Sequence, residues 1–272
     1  MTRAALSRPL GWLAALLALS VLAAGCPRRQ QIAQQTISAR VSDIDAQAAS
    51  SYVSAELLTW TEMARLESGF TEARGIACTA DGNVLVAGDR AIRALAPDGM
   101  VLWEIAVNGE AGPVAIAPDG LILVGLRDRV IAIGPEATVR QTWAPFGERT
   151  WVTSILPTAS EVLIADAGNR TVWRFAYDGT FLSEIARRDD ARGIPALSVP
   201  SAHLDVAMAL DGTLLVVNPG LRSVQYHSLP DGALLRSWGR SSNAVEGFGG
   251  CCNPTDICLL YTSDAADEED SV

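Results

Sequence analysis

The chain has 272 residues, 49% of them hydrophobic and 19% charged, enough apolar material for one sizeable core or two small ones. Its formal net charge is −10, and no cluster of Lys and Arg offers a surface for phosphates, which argues against a nucleic-acid partner. Half of that charge is local, because Asp264, Asp267, Glu268, Glu269 and Asp270 lie in the last nine residues.

At the N-terminus Arg3 and Arg8 precede an apolar run, LGWLAALLALSVLAAG, from Leu10 to Gly25, which ends in small residues at Cys26. This is a secretory signal pattern. It resembles a bacterial lipoprotein signal, which implies acylation of Cys26. Lipid attachment at Cys26, cleavage by another peptidase and retention as a single membrane helix are the three outcomes the segment 1–26 allows, and each exports the rest of the chain. The expected address is therefore the extracytoplasmic side of a membrane, with the membrane itself as one partner. Residues 27–55 are rich in Gln, Ala and Ser and read as a tether, partly helical, that spaces the domain after it from that surface.

From about residue 56 to 257 the grammar becomes repetitive. The stretch LIADAGNRTVWRFAYDGTFLSEI, Leu163 to Ile185, writes three short apolar or alternating runs divided by a Gly-Asn turn and an Asp-Gly turn. Related units begin near Gly75, Val114 and Leu204, with WVTSILPTASE from Trp151 completing the third. Gly82 and Gly120 are 38 residues apart, and Gly120 and Gly212 are 92 apart, or two units of 46. Each unit holds four strand-like runs of Val, Ile, Leu and aromatics punctuated by Gly, Asn, Asp and Pro. Four strands make one antiparallel sheet that cannot bury both faces alone, and radial stacking of such sheets removes the problem. The sequence thus predicts an all-β chain, a β-propeller. The Asp-Gly pairs at 81–82, 119–120 and 211–212 should turn first strands into second ones. Those at 98–99, 178–179 and 231–232 should turn third strands into fourth ones, because Gly accepts positive φ cheaply. Asp166 should end a second strand, with Gly168 and Asn169 in the turn after it.

The motifs ADAGNRTVWRFAYDG and VAGDRAIRALAPDG resemble the NHL-repeat family, whose propellers usually have six blades. The resemblance covers roughly Gly69 to Ile257. It implies a binding scaffold for an unidentified protein or small molecule, while related propellers include enzymes, so the fold does not fix the activity. Four whole units are present, and a fifth starts at GFGGCCNPTDI, Gly247 to Ile257. The tail 258–272 carries no further turn grammar and resembles translated sequencing-adapter read-through; on that reading the propeller is truncated to about four four-stranded blades plus a stub. TWTEMARL, Thr59 to Leu66, is expected as an outer strand that closes the ring against a missing last blade.

Residues with chemistry are few. Ser201, His203 and Asp205 alternate, so an extended segment would put them on one face where the fourth unit's innermost strand begins. Neighbours on one strand stand beside each other and do not converge as a hydrolytic triad, so the trio reads as a polar strand start near the axis, with ligand contact by His203 and Asp205, together with Asn253, as the alternative. No catalytic residue and no metal ligand is assigned. Comparison with related lyases, which the resemblance would supply with a zinc held by several histidines, meets only His203 and His227. A lactonase-like reading would use Asp205, Asn253 and Asp256 for Ca²⁺. Cys78 aligns with Ile116 and Met208 and is expected in the core, while the vicinal Cys251 and Cys252 could pair as a disulfide or serve a redox sensor. Trp103, Trp143 and Trp238, with Ile185 at the place of Trp238, are expected to pack between blades or to form a belt on the outer wall, with an exposed aromatic docking patch as the alternative. The leading expectation is an exported, membrane-anchored, non-catalytic propeller that binds a protein or ligand. The alternatives are a lactonase- or lyase-like enzyme and a redox or sensor subunit.

Overall fold

The computed structural model describes residues 62, 64–243, 247–250 and 253–259. Contacts divide the chain into Met1–Arg65 and Leu66–Val272, and every strand lies in the second unit. The strands are β1 (Ala73–Cys78), β2 (Val84–Gly88), β3 (Ala91–Leu95), β4 (Val101–Ala106), β5 (Val114–Ile116), β6 (Ile122–Gly125), β7 (Val130–Ile133), β8 (Val139–Thr142), β9 (Val152–Pro157), β10 (Val162–Asp166), β11 (Thr171–Phe175), β12 (Phe181–Ile185), β13 (Val206–Met208), β14 (Thr213–Asn218), β15 (Ser223–Ser228) and β16 (Leu234–Trp238). They form four sheets of four strands, each an antiparallel meander of consecutive strands, β1–β4, β5–β8, β9–β12 and β13–β16. We number these blades 1 to 4.

All six Asp-Gly pairs fall where the repeat placed them. In five of the six hairpins the glycine N–H donates to the carbonyl three residues earlier, as in Gly99 to Ala96 at 2.8 Å and Gly179 to Ala176 at 2.9 Å. In every hairpin but that of Asp81, where Asn83 N donates to Thr79 Oγ1, the Asp carboxylate accepts from the backbone two residues on, as Asp98 does from Met100 N and Asp211 from Thr213 N. This is a turn whose αL residue makes the bulge of a hairpin loop. Blade 2 departs from the pattern at its second such turn, where Ala137 takes the αL place with φ 60°.

Three apolar clusters hold the blades together, one per interface. Leu85, Ala87, Ile92 and Ala94 of blade 1 meet Ile122, Val124, Ile131 and Ile133 of blade 2. Leu123, Val130 and Ala132 then meet Val162, Ile164 and Phe175 of blade 3, and Leu163, Ala165 and Val172 meet Leu214 and Val216 of blade 4. The second strands of blades 2 and 3, β6 and β10, are therefore apolar on both faces, because one face serves the blade before and the other the blade after. At the interface of blades 2 and 3 the filling is aromatic, with Phe146 stacked on Phe175 at 4.6 Å and Trp143 against Phe175 at 5.5 Å.

A second repeated device joins the entering loop to its blade in blades 1, 3 and 4. Asp89 accepts from Thr71 N and Glu72 N at 2.9 and 3.0 Å, Asp166 accepts from Trp151 N at 2.9 Å, and Asn218 Oδ1 accepts from Ser198 N at 2.9 Å. A short polar side chain at the end of the second strand thus satisfies backbone N–H groups that no sheet partner reaches. Asp166 also accepts from Asn169 N and Nδ2 at 3.1 and 2.6 Å, so the Gly168-Asn169 turn is tied to the same carboxylate.

Two expectations need adjustment. No strand runs through the described part of Thr59–Leu66; instead residues 68–72 cross blade 1, where Arg93 lies over the Phe70 ring at 4.3 Å and donates to Ser68 O. Cys78 has the register of Ile116, yet it is exposed. It lies on the same side of β1 as Ile76, which is 69% exposed, whereas Ala77 on the other side packs toward blade 2. Of the tryptophans, Trp143 is buried between blades and Trp238, 42% exposed, meets Phe248 edge-on. Residues 1–61 lie outside the described residues, as do Cys251, Cys252 and the tail from 260. No helix among the described residues is long and apolar enough to cross a membrane.

Candidate functional site: the axial cleft

The first strands of the four blades run side by side. Gly75, Pro113, Ser154 and Asp205 occupy one register position, three residues before the strand ends Cys78, Ile116, Pro157 and Met208. All four line one cavity of about 820 Å³. An adjoining cavity of about 440 Å³ shares Arg74, Pro113, Thr153, Asp205 and Asp256 with it and adds Trp151 and His203. The two form a continuous axial cleft with a polar wall, each part within the size range of small-molecule sites, about 300–1,000 Å³.

Asp205 is the most constrained charge in it. One carboxylate oxygen accepts from Val206 N at 2.9 Å and the other from Ile257 N at 2.8 Å. Burial pushes the carboxyl above the usual range; the Ser154 hydroxyl and the Ile257 N–H pull it back, and the neighbouring Asp256 charge pushes it up again. The second donor comes from the fifth unit, whose Ile257 also packs on the core of blades 3 and 4. That stub carries no regular strand among its described residues, but it crosses to the axis and helps build the site. Thr153 Oγ1 donates to Leu204 O at 2.6 Å, which fixes the entrance of blade 4 against the first strand of blade 3. Arg74 bonds to Glu72 and lies 3.9 Å from Glu110. At the rim, Arg127 stacks over the Trp151 ring at 4.4 Å.

Of the residues singled out from the sequence, His203 and Asp205 line the cleft and Asn253 does not. The Asn253 amide donates to Gly249 O at 2.7 Å, so Asp205, Asn253 and Asp256 are not gathered as three oxygen ligands on one cavity. Among the described residues no group of three or more His, Cys, Asp or Glu side chains converges as a metal site. Ser201 also falls away from the cleft. Residues 201–205 precede β13 and are not extended, since His203 N donates to Ser201 O at 2.7 Å, and the alternation that would put Ser201, His203 and Asp205 on one face is lost. His227 lies in β15, fully buried, with Nδ1 3.2 Å from Gly232 O and Nε2 3.1 Å from Gln225 Oε1. Sequence reasoning did not single out Arg74, Thr153, Ser154 or Trp151. The register position shared by Ser154 and Asp205 was the available signal.

No family model matches the chain, and no curated protein matches it. Similar solved structures include a protein of unknown function from Bacteroides caccae, with a TM-score of 0.53 and 20% identity over 70% of this chain and 67% of that one. A streptogramin B lyase has a TM-score of 0.52 and 14% identity over 64% and 56% of the two chains. A catalytically inactive variant of virginiamycin B lyase from Staphylococcus aureus, solved with quinupristin, has a TM-score of 0.52 and 13% identity over 64% and 58%. This chain thus spans less than two thirds of the length of either lyase. At such identities the likeness is one of fold, and it agrees with the four radial sheets: the chain is an all-β propeller of about four blades.

Proposed function

We propose that the chain is an NHL-like propeller that binds a polar ligand or partner segment in its axial cleft, without catalysis, while a lipid or helix at its N-terminus holds it on the extracytoplasmic side of a membrane. The observation that carries the reading is the convergence of register-equivalent positions from four blades on one cavity in which Asp205 is held by backbone donors from two separate segments. The Asp205 carboxylate keeps further lone pairs for a ligand donor, and Arg74, His203, Thr153 and Asp256 add both signs and both hydrogen-bonding roles. Such a wall selects a ligand by several directed contacts, which suits recognition.

The test is a thermal-shift screen of polar metabolites and short peptides on the full chain, repeated on the His203→Ala/Asp256→Ala double variant. Both residues are exposed, so the variant should melt as the parent does. Compounds that raise the parent Tm and leave the variant unmoved are expected. If every stabilising compound acts equally on both proteins, the cleft is not the site. For the anchor, Cys26→Ala should move the protein from the membrane to the soluble fraction, and retention at the membrane would refute lipidation of that residue.

A further inference from the structure

The interfaces of blades 1–2 and 2–3 are built on one plan and filled differently. Between blades 2 and 3, Tyr177 and Leu121 pack on the shared core. The Tyr177 hydroxyl donates to Thr158 O at 2.5 Å. Burial raises the Tyr177 phenol above its usual range, and the Asp119 carboxylate in the first turn of blade 2 adds to the effect. Strand register gives the counterparts one interface earlier. The place of Tyr177 is taken by Pro135, both lying two residues after the paired strand ends Phe175 and Ile133. Leu121 is replaced by Asn83, which precedes β2 as Leu121 precedes β6. Thr158 corresponds to Ala117, and Asp119 to Asp81.

The two smaller fillers leave a cavity of about 340 Å³, even with Trp103 where blade 2 has Gln141. Leu85 and Ile122 form its buried floor, Trp103, Pro118 and Pro135 its walls, and Asp81 is on its rim. Ala117, whose carbonyl holds the place of the Thr158 acceptor and takes the Gly120 N–H at 2.9 Å on one of its two lone pairs, also lines it. The cavity is separate from the axial cleft and shares no residue with it.

We infer that this cavity binds a small neutral phenol, its ring between Trp103 and the two prolines and its hydroxyl directed at the Ala117 carbonyl beside Asp81. The ligand supplies to blades 1 and 2 what Tyr177 supplies to blades 2 and 3. An apolar ring of the same size lacks a donor for the second lone pair of that carbonyl, and an anionic ring places its charge against Asp81.

The experiment uses the full chain labelled with 5-fluorotryptophan, with the Trp103 resonance assigned by Trp103→Phe, and titrates in p-cresol, toluene and benzoate. A saturable shift of Trp103 by p-cresol with a Kd of about 1 mM is expected, with toluene weaker by about fivefold or more and benzoate silent. Pro135→Tyr supplies the ring from the chain itself and Asn83→Leu restores the other filler, so both should abolish the p-cresol shift while melting no lower than the parent. No saturable Trp103 shift in the parent, benzoate equal to p-cresol, or undiminished binding in Pro135→Tyr would each overturn the assignment. The readout comes from Trp103 alone, so it is independent of what the axial cleft binds.

Discussion

The hairpin glycines allow a quantitative test of how much of the fold's stability rests on one backbone conformation. Gly120 and Gly179 hold equivalent αL places in their turns, φ 86° and 81°, and differ in surroundings. A Cβ built on Gly120 meets nothing within 4 Å, whereas one on Gly179 comes to 2.8 Å from Cγ of Trp143, an indole that is 2% exposed in the aromatic core. Gly120→Ala therefore isolates the backbone term, about 1–2 kcal/mol for an L-residue in αL, less the roughly 0.5–1 kcal/mol by which alanine lowers the entropy of the unfolded chain. A net loss of about 0.5–1 kcal/mol results, or about 1–4 °C in Tm at 2–4 °C per kcal/mol for a domain of this size. Gly179→Ala carries the same term plus displacement of a ring that close packing holds on both sides, about 1–3 kcal/mol more. Ala137, already at φ 60° and half-buried, supplies the inverse: Ala137→Gly should gain about 0.5–1 kcal/mol, since little packing is lost. Urea unfolding of the three variants beside the parent measures all of these terms. If Gly179→Ala costs no more than Gly120→Ala, or if Ala137→Gly destabilises, the account of these turns as one geometry in different packing is wrong.

Two further outcomes arise from buried polar groups. Asp166 is 1% exposed and accepts from Trp151 N, Asn169 N and the Asn169 amide, so Asp166→Ala leaves donors unmet and should cost about 2–4 kcal/mol, against under about 1 kcal/mol for Asp119→Ala on an exposed turn; equal losses in denaturant melts would remove the assigned role of the carboxylate. Burial lowers the His227 imidazole below its ordinary value of 6.5, a shift opposed by the Gly232 carbonyl and assisted by the Arg192 charge. A histidine whose folded pKa is depressed contributes stability above its unfolded pKa and loses it as pH falls through 6.5 toward the folded value. The urea midpoint of the parent should therefore drop between about pH 7.5 and about pH 5.5 more steeply than that of His227→Gln, even though the variant starts lower; parallel acid slopes would refute the linkage.

The repeat was legible because its signals are local. A hairpin that needs one αL residue leaves Asp-Gly in the sequence, and the two-sided apolar runs of β6 and β10 record neighbours on both faces, so the strand order and blade count come from residues that lie close together in the chain. What was not legible depends on which faces meet. Cys78 has the register of a core residue, but register fixes a place on the strand and not whether another blade covers that side, and on blade 1 that side is open to solvent. The axial cleft is harder still, because it is assembled from strand beginnings and entering loops, where alternation ceases. Ser201 and His203 look co-facial only if the segment is extended, and the short bond from His203 N to Ser201 O shows that it turns. Arg74, Ser154 and Asp256 are unremarkable polar residues in their own segments and become a wall only when blades 1, 3 and 4 and the fifth unit are brought around one axis. A propeller thus writes its scaffold into every unit and leaves its binding site to the differences between units. The contrast of Pro135 with Tyr177, and of Asp205 with Gly75 at the same register, holds for this chain the information that the shared motif does not.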